Sequence, residues 1–147
     1  MKARRDEGMG VTLEFLNDNR GVRAVASGEL TGEDFVAAAR QVNVFAATVT
    51  PICYTFCDCD RLTAITVTTG DLAAAALCAI EAAELRDTER IVAIYASDDY
   101  VYRLALIYMT FIEQTGWEAW AFHDRAEAVG WLRARAALKH GITVEVD

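Results

Sequence analysis

Three of the four cysteines crowd into the decapeptide PICYTFCDCD, at positions 53, 57 and 59. Sulfurs gathered this closely would bind zinc or exchange disulfides. Tetrahedral zinc holds its sulfurs about 2.3 Å from the metal, hence less than about 4 Å from one another. In an extended strand, side chains at i and i+2 share a face but start roughly 6.5–7 Å apart. Cys57 and Cys59 are such a pair, with Cys53 further back on the same face, so a regular strand cannot gather them around one ion. No CxxC pair is present, and His123 and His140 lack ligand-like spacing. The sulfurs read as strand core, free and without metal. Cys59, nearest the end of the strand, keeps a redox reading open.

The same stretch ends on carboxylates. Asp58 and Asp60 are expected at the C-terminal end of a parallel strand, where open α/β sheets hold ligands. Ser97, Asp98 and Asp99 close the next strand, and His123 and Asp124 the one after. A Ser97–His123–carboxylate relay would be hydrolase chemistry. Against it, Ser97 and Asp124 already serve as helix caps, and no nucleophile-elbow motif surrounds Ser97. A phosphoacceptor domain would want an acidic pair after its first core strand and a late lysine, but the lysines are Lys2 and Lys139, at the extremes. GxGxxG and P-loop patterns are absent, which excludes the usual nucleotide sites.

These residues need a scaffold. VTLEFLNDN and GVRAVASGEL alternate apolar and polar residues around the turn material NDNRG and predict an antiparallel hairpin. TGEDFVAAARQVNVFAA has helical spacing at Phe35, Ala38, Ala39 and Val42, with Thr31 and Asp34 as a capping pair. Pro51 marks the start of a third strand, ICYTFCDCD. TTGDLAAAALCAIEAAEL is an alanine-rich helix with Thr68 or Thr69 as cap and Asp71 in its first turn. RIVAIYAS is nearly continuous and β-branched, as a strand covered on both faces is. DDYVYRLALIYMTFIEQTG is a long helix closed by Gly116, and WEAWAFHD is a fifth strand. RAEAVGWLRARAALKHG is a last helix capped by Asp124 with Glu127, and the tail ITVEVD either adds an edge strand or frays. The order is β-β-α-β-α-β-α-β-α. It predicts one α/β domain over residues 11–147 behind a flexible N-terminus at 1–10, with a mixed, mostly parallel five-stranded sheet and four flanking helices.

At 147 residues, 54% of them hydrophobic and 24% charged, the chain can bury a core without staples. A net charge of −8 with no basic run argues against nucleic acid or an anionic membrane surface as partner. The opening MKARRDEGMG has no apolar segment behind it, so no signal peptide is expected, and no stretch reaches the apolar length of a membrane helix. Four cysteines without a secretion signal suit a reducing cytoplasm.

The long helix carries more apolar surface than a sheet needs. Tyr100, Val101, Leu104, Tyr108, Met109, Phe111 and Ile112 cover more than the roughly 100° stripe a surface helix buries. Most of that arc is core. The surplus around Tyr102, Tyr108 and Met109 suits either a small lipid-like ligand or a homodimer contact.

The run GELTGEDF, the segment CDCDRLTAITVTTGDL and the stretch RIVAIYASDDYVYRLALIYMTFIEQTGWEAWAFHDRAEAVGWL form an ordered pattern over residues 11–138. It resembles the uncharacterised STAS-like bacterial proteins, a family related in fold to anti-sigma-factor antagonists of the sporulation stage II AA type. The resemblance implies a small mixed sheet flanked by helices, a regulatory or protein-binding role, and no cofactor. Such antagonists carry a phosphorylatable serine at the start of the helix after the third strand. The matching region is VTTGDL, which makes Thr68 and Thr69 the candidates, although both also serve as caps. The expectation is a non-catalytic cytoplasmic interaction module with candidate binding or switch residues Asp58, Asp60, Thr68, Thr69, Ser97, Asp98 and His123. The alternatives are a carrier or sensor of a small apolar ligand, and a hydrolase built on the strand-end rim.

Overall fold

Strand pairing lays out most of the chain. In a computed structural model that describes residues 4–7, 10–86 and 88–147, six strands form one sheet in chain order. β1 (Arg4–Glu7), β2 (Val11–Leu16) and β3 (Gly21–Thr31) are antiparallel neighbours. β3, β4 (Tyr54–Thr66), β5 (Ile91–Tyr95) and β6 (Glu118–Phe122) run parallel. α1 (Gly32–Thr48), α2 (Thr69–Leu85) and α3 (Asp99–Phe111) connect the parallel strands, and α4 (Arg125–His140) follows β6. Each crossover steps to the next strand in the same direction, so right-handed connections place α1, α2 and α3 on one face of the sheet. α4 makes no crossover and covers the other face.

The packing agrees with that division. On the three-helix face, Leu13, Phe15 and Val22 meet Val42, Phe45 and Leu104, with the Phe15 and Phe45 rings 4.5 Å apart. On the opposite face, Tyr54, Phe56, Ile91 and Ala93 meet Ala128, Leu132 and Ala136 of α4. β5, the strand read as covered on both sides, is buried at all five positions. Local caps form as the sequence reading expects. Thr31 accepts from the Asp34 amide at 3.1 Å, and Asp124 accepts from the Glu127 amide at 3.0 Å.

Four features depart from the expectation. The sheet has six strands, because Arg4–Glu7, inside the stretch expected to be a flexible N-terminus, pairs with β2. The charged segment RRDE lacks the alternation that announces a strand, yet charge suits the sheet edge it occupies. β4 does not end at Asp60. It continues with β3 to Thr66, through register shifts between Val25 and Ser27 and between Gly28 and Glu29. Cys53 precedes the strand and packs on the α4 face, whereas Cys57 and Cys59 pack on the three-helix face, so the three sulfurs do not share a side. The tail after Gly141 neither pairs nor frays. Gly141, at φ 64°, turns the chain back, and Ile142, Val144 and Val146 are 3%, 5% and 0% exposed.

Candidate functional site

The strand-end rim comes together only in part. Asp58 is buried inside β4 and accepts from the Asp60 amide at 3.1 Å. The Ser97 hydroxyl donates to the Asp60 carboxylate. Burial first, and then the Asp60 carboxylate, raises the Tyr95 phenol above its ordinary range. The cap of α3 is Asp98, which accepts from the Val101 amide at 3.1 Å, not Ser97 as expected. His123 is exposed and stacks on Tyr102, ring centroids 3.8 Å apart. No hydrogen bond joins Ser97 to His123 among the described residues. The topology accounts for this scatter. A ligand crevice at strand ends forms where strand order reverses, and strands laid down in simple chain order have no such switch point.

Thr68 and Thr69 stand on a shoulder where two helices begin. Thr68 is the cap of α2 in a complete capping box: its hydroxyl accepts from the Asp71 amide at 3.2 Å, while the Asp71 carboxylate accepts from the Thr68 amide at 2.9 Å. That carboxylate also lies against Gly32, the first residue of α1, where a side-chain carbon would overlap it. Thr69 is exposed at the first helical position. Unlike Thr68, it makes no side-chain hydrogen bond among the described residues.

Between the three-helix face of the sheet and helices α1 and α3 lies a cavity of about 120 Å³. Its walls are mostly aliphatic and aromatic, including Leu13, Leu30, Phe35, Val42 and Tyr108. A second, almost wholly apolar lobe of about 80 Å³ continues from it, sharing Leu30, Phe35, Cys57, Cys59 and Tyr108. Tyr108 meets Phe35 edge to face at 5.6 Å.

One charge is set into the first lobe. Arg90, just before β5, is 5% exposed. Its Nη1 donates to Asn43 Oδ1 at 2.9 Å, and its guanidinium lies 3.9 Å over the Trp117 ring. Arg90 Nε and the neighbouring wall atom Thr55 Oγ1 are both buried without a hydrogen-bond partner. Burial lowers the Arg90 pKa to about 10, which leaves the group charged at neutral pH. The same burial pushes the Cys57 thiol up to about 12 and raises Cys59 further, so both are inert thiols. All four cysteines are free, and no cluster of three His, Cys, Asp or Glu side chains suited to a metal occurs among the described residues.

On the α4 face, a polar cleft of about 580 Å³ is lined by Arg23, Arg61 and Arg125 together with Glu14, Asp58 and Asp147. Arg23 pairs with Glu14, and with Asp147 at 3.4 Å. Among the described lining residues the two signs balance, three arginines against three carboxylates.

Sequence reading missed the Arg90 cluster, because an arginine at the mouth of a strand looks like a solvated rim residue. No described helix is long and apolar enough to cross a membrane.

No family model and no curated protein sequence matches the chain. Solved structures do. An uncharacterised protein of the DUF3478 family with a SpoIIAA-like fold, from Shewanella loihica PV-4, is 18% identical over 88% of this chain and 91% of its own, with a TM-score of 0.47. The anti-sigma factor antagonist SpoIIAA in its unphosphorylated form is 15% identical over 84% of this chain and 97% of its own, with a TM-score of 0.52. The chain shares its fold with SpoIIAA.

Proposed function

We propose that this protein is a non-catalytic regulatory module of the cytoplasm that docks to another protein through the shoulder formed by the starts of α1 and α2. The observation that carries this reading is the contrast between the two threonines. Thr68 is consumed by the capping box, while Thr69 presents a free hydroxyl on the same exposed turn. The fold shared with an anti-sigma factor antagonist supports a regulatory role, and a modifiable hydroxyl at a helix start suits a switch, because added negative charge there is stabilised by the helix dipole.

Two substitutions separate the structural duty from the regulatory one. Thr68→Ala should cost about 1 kcal/mol through the lost cap. Thr69→Asp should leave the denaturation midpoint intact and weaken binding of a partner, once isolated with the wild-type protein, by about tenfold. Equal affinity of the wild type and Thr69→Asp for that purified partner would remove the switch. Turnover of model esters or phosphates that vanishes in Ser97→Ala or His123→Ala would overturn the non-catalytic reading.

A second reading is favoured by a different observation. The two-lobed apolar cavity suits a carrier or sensor of a small apolar ligand.

Self-association through α3 belongs to either reading. Tyr102 and Met109 are half-buried within the fold. Instead, Leu106, Ile107 and Phe111 are 42%, 36% and 37% exposed on that helix and supply the apolar contact. Light scattering should give a dimer mass at high protein concentration and a monomer mass for Leu106→Glu. A monomer mass for the wild type across the concentration range ends the idea.

A further inference from the structure

We infer that the cavity beside Arg90 is a binding site for a small apolar monocarboxylic acid, whose carboxylate pairs with the Arg90 guanidinium while its tail fills the apolar lobes. The inference rests on the sensor reading above and adds the charge and size of the ligand.

The first argument is the missing counter-ion. A buried charge is ordinarily paired with an opposite charge, because removal from water is otherwise strongly unfavourable. Arg90 is 5% exposed and makes no ion pair among the described residues. Its neutral partners are Asn43 Oδ1 and the Trp117 ring, and its Nε donates to nothing. The ionisable groups that act on it are Tyr108, Cys57 and Cys53, all of them raised by burial and therefore neutral at pH 7. An incoming carboxylate would supply the charge that the described residues do not.

The second argument is the pair of orphan atoms in one wall. Arg90 Nε is a donor without an acceptor, and Thr55 Oγ1 is a hydroxyl that can give its proton to the same ligand. Thr55 also precedes Phe56 and Cys57 on β4, the central strand of the cavity floor, so its position is set by a rigid element rather than a loop. Carboxylate oxygens accept from arginine and hydroxyl donors alike. A neutral apolar guest would leave both orphans unmet.

The third argument is size. An engineered apolar cavity of about 150 Å³ accepts benzene. A first lobe of about 120 Å³ therefore suits a single ring or a short acyl chain, and the second lobe of about 80 Å³ accepts a longer chain if Tyr108 and Phe35 part. Doubly charged acids do not fit, since no second cation among the described residues lines either lobe.

The test is titration calorimetry of the full chain with hexanoate and benzoate, set against hexan-1-ol and benzyl alcohol as neutral isosteres. Each acid should bind at least about tenfold more tightly than its alcohol, and NMR should show the Arg90 Nε–H and the Trp117 indole moving with saturation. In Arg90→Met, acid affinity should fall to that of the alcohol. The ligand-free Arg90→Met variant should melt no lower than the wild type, because an uncompensated buried charge is gone. Thr55→Val keeps the shape and should weaken the acids several-fold while leaving the alcohols unchanged. This variant and the acid–alcohol contrast in the wild type hold the inference to account even if Arg90→Met fails to fold. Acids and alcohols binding alike, or hexanoate binding Arg90→Met as tightly as the wild type, would overturn the carboxylate assignment and spare the cavity as a site. If neither acids nor alcohols bind, the sensor reading falls, and the inference with it.

Discussion

Removing residues 142–147 should destabilise the protein by about 5 kcal/mol or more, enough to unfold a domain of ordinary stability. The segment has no regular secondary structure, yet it lies in the core. Ile142, Val144 and Val146 are 3%, 5% and 0% exposed and pack with Tyr54, Phe56 and the inner side of α4. Full burial of one such side chain contributes about 1.5–3 kcal/mol, an upper figure because the unfolded chain already buries part of this surface. Hydrogen bonds tie the segment down as well. Asn17 Nδ2 donates to the Thr143 carbonyl at 2.8 Å, the Glu145 amide donates to Asn17 Oδ1 at 3.2 Å, and Arg133 donates to the Val146 carbonyl at 2.7 Å. Urea denaturation followed by far-ultraviolet circular dichroism measures the effect. A midpoint unchanged by the truncation would show that the tail adheres without supporting the fold.

That tail marks where reading the sequence stopped. ITVEVD alternates like a strand, and the apolar members of the alternation are indeed the buried ones. What it packs against is set by Asn17, 126 and 128 residues away at the hairpin tip, and no local pattern carries that information. The hairpin, the helices and three of their four caps were readable because their determinants lie within a few residues. Thr31 with Asp34, Thr68 with Asp71, and Asp124 with Glu127 each close over three positions. The second half of β4 escaped because its register shifts break the period of two. Leu62 and Ile65, three apart, both face the three-helix core. β1 escaped because its residues are all charged.

The candidate site was less readable for a related reason. Carboxylates, serine and histidine at strand ends announce themselves by type, but type does not assemble them. Asp98 went to a helix cap, His123 to a stack on Tyr102, and Ser97 to Asp60. Arg90 did the reverse. Its neighbours in sequence mark it as solvent-facing, and it becomes buried only when Trp117, just before β6, closes over it and Asn43 reaches it from α1. Tyr108 is one of the side chains that line the cavity.

Gly21→Ala should cost about 3 kcal/mol, at the upper end of what overpacking a core usually does. Gly21 opens β3 directly beside Tyr54 on β4, and the ring of Tyr54 folds across the space where a side-chain carbon of residue 21 would stand. A new methyl would overlap both the ring and its hydroxyl. The ring cannot swing aside freely. It is fully buried, and its hydroxyl donates to Asn17 Oδ1, the same oxygen that holds the Glu145 amide. Burial keeps that phenol protonated well above its ordinary range, so the donor is present at any working pH. Moving the ring would therefore loosen the hairpin tip and the tail together, and the variant should lose part of what the truncation loses. A double-mutant cycle separates this from a general intolerance of alanine at the start of β3. In a Tyr54→Leu background the methyl has room, and Gly21→Ala should then be nearly neutral. A cost unchanged by Tyr54→Leu would mean that the backbone of residue 21, and not the overlying ring, demands glycine.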